Sequence, residues 1–395
     1  MKLTDLKDKS ILALGLGREG LSVLRFLKKK FPSKKIDVAD KKEYSGLPEN
    51  VGKTFFGEDY LNSLSGYDVI IKSPGIPFFA EIKLAKDKGI MVTSTTLIFL
   101  SNCKGTVIGV TGTKGKSTTA SLIYEVLKKG GLETYLIGNI GTPALDFLKL
   151  DSEDTIFVYE LSSFQLEDLD LSPHIAVITN VYPEHLDHHG DFPAYVKAKN
   201  NIAKFQTEED YLIYNQNIPE LKFIAQGSKA NKIAFSKKDK QMVQDLVHED
   251  TIPLLGEFNL LNVVPAIIIG RLFKVADNKI EEAIINFKPL PHRLEFVAES
   301  RGIRFYNDSL STIPQATVEA LAALGENVQT LIAGGFDRGL DYSVLGRAIA
   351  RSNIRTLILF PDTGVKIWDA VCKYSKKLPN KFDVLDMGQA VKIAY

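Results

Sequence analysis

The stretch Thr106-Val-Ile-Gly-Val-Thr-Gly-Thr-Lys-Gly-Lys-Ser-Thr-Thr-Ala120 constrains this chain more than any other. Its β-branched apolar run, Val107 to Val110, reads as a buried strand that breaks into the turn Gly112-Thr-Lys-Gly115. Lys116-Ser117-Thr118-Thr119 then opens a helix whose apolar members are Ala120, Leu122, Ile123, Val126 and Leu127. A strand that ends in glycines and feeds a helix start offers consecutive N–H groups to an anion. Gly112, Thr113, Lys114, Gly115 and Thr118 can therefore wrap a phosphate chain. Lys116 can reach its terminal phosphates, and Ser117 can hold a magnesium ion. In the general phosphate-loop spacing the first glycine falls where Val110 stands. Here the first loop glycine is Gly112, so the loop is shortened. The competing explanation is a solvated Gly/Lys turn capped by Ser117, but strand, loop and helix in register favour phosphate.

At 395 residues the chain exceeds one ordinary core, so two or three domains are expected. A net charge of +1 gives no bulk attraction for nucleic acid or a membrane surface, and neither is expected as a partner. The two cysteines, Cys103 and Cys372, lie far apart in no metal-like spacing, which suits a reducing cytoplasm. The start of the chain lacks the apolar core of a signal peptide, and no apolar run approaches a membrane span. A cytoplasmic protein is the expectation.

Residues 10–17 form a second strand-into-glycine signal, running into Gly15-Leu-Gly17-Arg-Glu-Gly20 and a helix carrying Leu21, Leu24, Phe26 and Leu27. The strand Ile36 to Asp40 ends in an acidic residue twenty positions beyond Gly20. This has the look of a dinucleotide fingerprint, but alone it names no nicotinamide. Val69 to Lys72 leaves through Ser73-Pro-Gly75, and Ile90 to Thr93 continues the β/α rhythm of a parallel sheet.

Beyond the phosphate loop, strands are expected at Leu132–Ile137, Thr155–Glu160, Ile175–Ile178 and Tyr211–Tyr214. Glu160 falls at a strand's carboxyl end, where α/β proteins put chemistry. Asn180 to Gly190 holds His185, His188 and His189 of the chain's six histidines. With Glu184 and Asp187 they invite a zinc reading, but no cysteine accompanies them and the spacing matches no common structural site. One imidazole joining Glu160 around magnesium is favoured, and His188 and His189 read as polar loop residues. Asn259 and Asn262, three apart on a helix, can present their amides together to a flat ligand such as adenine, or cap the helix start. Leu290-Pro-His-Arg293 reads as a hinge, and the segment 226–249 as a solvated excursion. The last part offers an antiparallel pair turning at Ser300-Arg-Gly302, a helix over 314–324, and strands at Thr330–Gly335 and Thr356–Phe360.

Together, Gly112 to Thr118, Glu160-Leu-Ser-Ser-Phe-Gln-Leu-Glu167, Asn180 through His185, Ala198-Lys199-Asn200, Asn259/Asn262, Pro291-His-Arg293 and Asn307-Asp-Ser309 resemble the Mur ligases of peptidoglycan synthesis. The resemblance covers essentially the whole chain. It implies an α/β protein of three domains: a UDP-binding Rossmann-like domain at 1–103, a central P-loop ATPase-like domain at 104–290, and a Rossmann-like ligase domain at 291–395. It further implies an ATP-dependent amide-bond ligase, a monomer, that joins glutamate (D-glutamate favoured) to UDP-N-acetylmuramoyl-L-alanine through an acyl phosphate. Lys116 would clamp the phosphates, with Ser117 and Glu160 on one magnesium. His185 would help hold a second magnesium, and Lys199 matches the family lysine that is usually carbamylated. Asn259, Asn262, Arg293 and Asp308 would contact adenosine, and Asn139 the sugar nucleotide. Gly15, Gly17, Asp40, Ser73 and Gly75 would grip UDP, so no NAD is implied.

Three departures accompany the match. Leu310 and Ile313 replace a lysine and an asparagine of the family's Asn-Asp-Ser-Lys-Ala-Thr-Asn. Arg338 stands where a lysine that binds the amino acid is common, and its planar fork suits a carboxylate. The chain also stops before the family's terminal Ser-Pro…Ser-Phe segment. From this the C-terminal domain is expected to be incomplete, with UDP-sugar and ATP binding surviving better than turnover. The competing expectations are L-glutamate addition, another Mur-type ligation, and a UDP-sugar- and ATP-binding fragment that does not turn over.

Overall fold

The computed structural model describes residues 1–77, 79–248 and 251–395. Two compact units emerge: Met1–Asp239 with Val264–Ala283, and Lys240–Val263 with Ile284–Tyr395.

The first unit is built on two parallel sheets. Strands β1 (Ile11–Leu14), β2 (Ile36–Asp40), β3 (Val51–Phe56), β4 (Val69–Lys72) and β5 (Met91–Ser94) run in the order β3-β2-β1-β4-β5. β1 and β4 are buried at every position, which is why β1 and the first three residues of β4 form apolar runs rather than alternating ones; β4 ends on the buried Lys72. The second sheet holds β6 (Thr106–Thr111), β7 (Thr134–Gly138), β8 (Ile156–Glu160), β9 (Ile175–Ile178), β10 (Tyr211–Asn215) and β11 (Asn231–Phe235), in the order β11-β10-β9-β6-β8-β7. One apolar cluster runs between the two sheets. Phe99, on the helix Thr95–Asn102, meets Phe157 and Tyr159 edge-on at 5.2 and 5.6 Å between centroids, and Thr96 Oγ1 lies 3.1 Å from the Tyr159 hydroxyl. Arg18 adds a polar tie, donating to the carbonyls of Gly138 and Gly141.

Each sheet reverses its strand order beside its first strand, between β1 and β4 in one and between β6 and β9 in the other. Loops at the carboxyl ends of strands diverge at such a point and leave a crevice. Gly15 and Ser73 follow β1 and β4; Gly112 and Asn180 follow β6 and β9.

The second unit contains the antiparallel pair β12 (Glu295–Ser300) and β13 (Ile303–Asn307). It turns through Arg301 and Gly302, both at positive φ (51° and 79°), the conformation that matches a two-residue hairpin to strand twist. A parallel sheet of β14 (Thr330–Gly335), β15 (Thr356–Asp362) and β16 (Asn380–Asp383) follows. Its core is formed by Leu357 and Leu359 with Leu345, Ile349, Ile367 and Val371 from the helices Ser343–Ala350 and Thr363–Tyr374.

Two sequence expectations need correction. The segment 226–249 is not a solvated excursion: it contains β11, paired in parallel with β10, and the helix Lys240–Leu246, with Phe235 and Val243 buried. β11 is an edge strand, mostly exposed, so its sequence lacks an apolar signature. Glu249, at the end of that stretch, lies outside the described residues. His188 and His189 are not polar loop residues either; their side chains are 8% and 1% exposed.

Candidate active site

Glycine is required where β1 leaves its sheet. Gly15 has φ +88°, and a Cβ there would lie 2.8 Å from Ile76 Cγ1 and 2.9 Å from Ser73 Cβ. At Gly20 a Cβ would meet the Gly15 carbonyl oxygen at 2.0 Å, so the helix Arg18–Lys30 can close on the loop only without a side chain. Ser73 Oγ donates to the Gly15 carbonyl at 2.7 Å. Asp40 accepts from Leu16 N–H at 2.6 Å and from Lys42 N–H at 2.8 Å. Both side chains hold the turn, so their first action is on the backbone of the cradle.

The β6 loop is clasped in the same manner by the residues after β9. Asn180 Oδ1 accepts from the N–H groups of Thr113 and Lys114 at 3.1 and 2.8 Å, and Asn180 Nδ2 returns a bond to the Lys114 carbonyl at 2.9 Å. A Cβ at Gly112 would stand 2.0 Å from Thr179 Oγ1. Gly115, at φ +79°, turns the chain into the helix Lys116–Lys129, whose first turn carries Ser117 and Thr118, both buried. The Lys116 ammonium donates to the carbonyls of Gly112 and Thr113, each at 2.9 Å, and so bridges its own loop.

Around this loop stand groups whose charge the protein leaves open. Glu160, 1% exposed, ends β8 level with Val110 of β6 and Gly138 of β7. Its Oε1 accepts from Asn139 Nδ2 at 3.2 Å, while its Oε2 is buried with no hydrogen-bond partner among the described residues. Lys199, also 1% exposed, comes in from the helix Phe192–Lys204 and donates to Thr111 Oγ1 (3.2 Å) and the Gly112 carbonyl (2.9 Å). Burial holds its amine well below the ordinary lysine value of 10.5. The Lys116 charge pushes the same way, against the pull of Glu184 and Glu160. His185 adopts φ +57°, uncommon without glycine, and its Nε2 lies 3.9 Å from Glu184, which pairs with Lys114 at 3.3 Å.

Glycine loop and phosphate loop open into one cavity of about 610 Å³. Gly15, Gly17, Asp40, Ser73 and Gly75 line it from the first sheet; Lys116, Asn139, His185 and Lys199 line it from the second. Arg18, Glu19, Gln165 and Tyr195 share the lining; the first three lie within the glycine fingerprint and the Glu160–Glu167 motif, whereas Tyr195 belongs to no sequence motif and gains its place from a distant segment. Burial raises the Glu19 carboxyl toward its neutral form, outweighing Thr95 and Arg18.

The second unit carries the remaining candidates. Asn262 Nδ2 donates to Asn259 Oδ1 at 3.0 Å and Asn259 Nδ2 to the Leu255 carbonyl at 2.7 Å, so the two amides bond one another near the start of the helix Glu257–Leu272. Arg293 is half-buried; Asp308 accepts from Leu294 N–H at 2.9 Å. Arg338 is exposed on the turn after β14, and Leu310 is exposed as well.

A shortened phosphate loop at one switch point, a glycine cradle at another and a bare carboxylate oxygen beside them define a nucleotide-binding α/β protein equipped for phosphoryl chemistry. Comparison with known proteins agrees. The pattern of the Mur ligase middle domain matches residues 110–270, and that of the Mur ligase MurD-like N-terminal domain matches residues 9–94. A UDP-N-acetylmuramoylalanine--D-glutamate ligase of Clostridium botulinum (strain Hall) is 34% identical over 413 residues, covering 98% of this chain and 89% of the relative. One of Koribacter versatilis is 35% identical over 367 residues, covering 86% and 80%. Among solved structures, the UDP-N-acetylmuramate-alanine ligase MurC of Thermotoga maritima superposes with a TM-score of 0.61 at 17% identity, covering 98% of this chain and 92% of its own. MurF of Acinetobacter baumannii gives 0.60 at 14%, covering 100% and 85%. These two share the fold. The chain belongs to the Mur ligase family, close to its MurD branch.

Enzymes of this family use ATP with magnesium. The residues present fit that ion: a buried, unpartnered oxygen on Glu160 is a position a hard cation would satisfy, and the Ser117 hydroxyl belongs to the same donor class. Among the described residues no helix is long and apolar enough to cross a membrane.

Proposed function

We propose that this chain joins D-glutamate to UDP-N-acetylmuramoyl-L-alanine with hydrolysis of ATP to ADP and phosphate. The observation that carries the reading is the shared cavity, in which a cradle for a diphosphate opens onto a loop built for a triphosphate. The diphosphate of the sugar nucleotide would lie on the Gly15–Gly17 turn at the start of the helix Arg18–Lys30, near Ser73, Gly75 and Asn139.

A free carboxylate repels nucleophiles and its oxygen is a poor leaving group, so the amide cannot form directly. In the proposed sequence a carboxylate oxygen of the alanyl group attacks the γ-phosphorus, and the bond to the β,γ-bridging oxygen breaks to release ADP. The glutamate amine, having lost a proton, attacks the acyl carbon. The tetrahedral intermediate then collapses and expels phosphate. Lys116 leaves its two loop carbonyls to neutralise charge on the β- and γ-phosphates. Ser117, Glu160 and His185 are the residues that would hold magnesium, which when bound would supply positive charge to the reaction. Lys199, whose amine burial holds well below the ordinary lysine value, would react with carbon dioxide as the free amine and release a proton. As a carbamate it would offer an anionic oxygen where an ammonium would repel the ion. Arg338 would take a carboxylate of the amino acid, and Asn259, Asn262, Arg293 and Asp308 would contact adenosine. On this reading residues 1–103, 104–290 and 291–395 divide the work as UDP, ATP and amino-acid domains. The protein acts as a cytoplasmic monomer without a nicotinamide.

The test is phosphate release with UDP-N-acetylmuramoyl-L-alanine, ATP and magnesium, offered D-glutamate and L-glutamate in parallel. Release that requires the sugar nucleotide and the D isomer is expected. Release that needs neither, or that follows the L isomer, would overturn the assignment.

A further inference from the structure

Three side chains that the proposed ligation does not use converge beside the active-site cavity. Glu167, His188 and His189 each direct one ligand atom so that all lie within 4.8 Å of one another. His188 Nε2 is 3.0 Å from Glu167 Oε2, and His189 Nδ1 is 3.6 Å from Glu167 Oε1. Donors about 2.0–2.1 Å from a tetrahedral zinc ion stand roughly 3.3 Å apart, so these spacings already approach coordination. The adjacent histidines converge because they present different nitrogens, the distal one from His188 and the proximal one from His189.

The surroundings hold each ligand in place. Ser162 and Gln165 form a capping box on the helix Ser163–Leu166, and Asn201 Nδ2 donates to the carbonyls of Leu166 (3.0 Å) and Glu167 (3.1 Å), which fixes the backbone that carries Glu167. His189 Nε2 lies 3.0 Å from Ser163 Oγ, the outer partner that a metal-bound imidazole needs on its second nitrogen. The His189 ring stacks on Phe164 at 5.6 Å and 22°, and His188 meets the same ring edge-on at 4.5 Å. The Glu167 carboxylate completes the donor set, with one oxygen toward each imidazole. Its side chain is 24% exposed, which leaves one side of the cluster open to solvent for a further ligand. Phe164 also packs on His185 at 4.9 Å, so the cluster and the cavity share a wall.

We infer that Glu167, His188 and His189 form a binding site for one zinc-class divalent transition ion, distinct from the magnesium positions at the phosphate loop. Two imidazoles and one carboxylate select borderline ions over magnesium, which favours all-oxygen shells. Sequence spacing around His185 obscured the set, because the third ligand lies in another segment.

The test uses the full, tag-free chain with excess magnesium present, titrated with Co²⁺ followed optically and with Zn²⁺ by calorimetry. Wild type is expected to take up one equivalent, with visible d–d bands of a four- or five-coordinate cobalt site. H188F keeps a ring against Phe164, and E167Q keeps the carboxyl shape; each is expected to lose at least tenfold in affinity. The companion variant H185A is expected to keep the site. Zinc is also expected to raise the melting temperature of wild type and not of H188F, which separates metal binding from a packing effect. No uptake by wild type would overturn the inference, as would uptake that H188F leaves intact or that H185A abolishes.

Discussion

The two switch-point loops of the first unit follow one plan and end in different states. After β1 the glycine turn is closed on itself: Asp40 serves two backbone N–H groups and Ser73 bonds the Gly15 carbonyl. After β6 the turn is clasped as firmly by Asn180, yet its neighbours remain electrostatically unfinished. Glu160 keeps a bare buried oxygen, and Lys199 is a buried amine pushed toward neutrality. The closed turn is shaped to grip. The unfinished one is shaped to react, because groups that the fold does not satisfy are left for ions and phosphates that come and go.

The largest expected effect tests the reactive loop. Lys116→Ala should lower kcat by about 10³-fold, the scale of a lost transition-state donor, while binding of the sugar nucleotide measured by calorimetry stays unchanged. If the two loops are not functionally separate, that binding falls with kcat. Next in size, Lys199→Ala should reduce kcat by about 10²-fold. Wild-type rates should also fall in carbonate-free buffer and return with bicarbonate, if the neutral amine is carried as a carbamate.

A smaller effect belongs to the closed turn. Asp40→Ala leaves two backbone donors without their partner and should raise KM for the sugar nucleotide roughly tenfold, with KM for ATP unmoved. The smallest effect is on stability. The folded-state value of Lys199 lies below its unfolded 10.5, so at low pH, where the amine is protonated in both states, burial penalises the folded chain. The penalty is released as pH rises from the folded value toward 10.5. Lys199→Met should therefore be more stable than wild type at low pH, by a margin that shrinks as pH climbs. Denaturation at several pH values in carbonate-free buffer measures it, and a margin independent of pH would show that burial does not lower the Lys199 value.

The same contrast separates what was legible in the sequence from what was not. Gly15, Gly112 and Lys116 were readable because a strand that breaks into glycine before a helix is a local pattern, and Glu160 because it ends an apolar strand. The buried runs of β1, β4, β6 and β8 were readable for the same reason. β3, β11 and β16 are the outermost strands of their sheets and largely exposed, so no apolar run announces them. Arg18, Glu19, Tyr195 and the Glu167–His188–His189 cluster gain their meaning from contacts between segments far apart in the chain. Lys199 reads as a surface lysine until packing buries it, and only the family resemblance singled it out.

The most direct test of the reactive loop follows an oxygen atom. UDP-N-acetylmuramoyl-L-alanine labelled with ¹⁸O in the alanyl carboxylate is turned over with ATP, magnesium and D-glutamate, and the released phosphate is analysed by mass spectrometry. Attack of the carboxylate on the γ-phosphorus predicts that one labelled oxygen leaves with each phosphate. Phosphate without label, formed alongside amide product, would contradict the acyl-phosphate route.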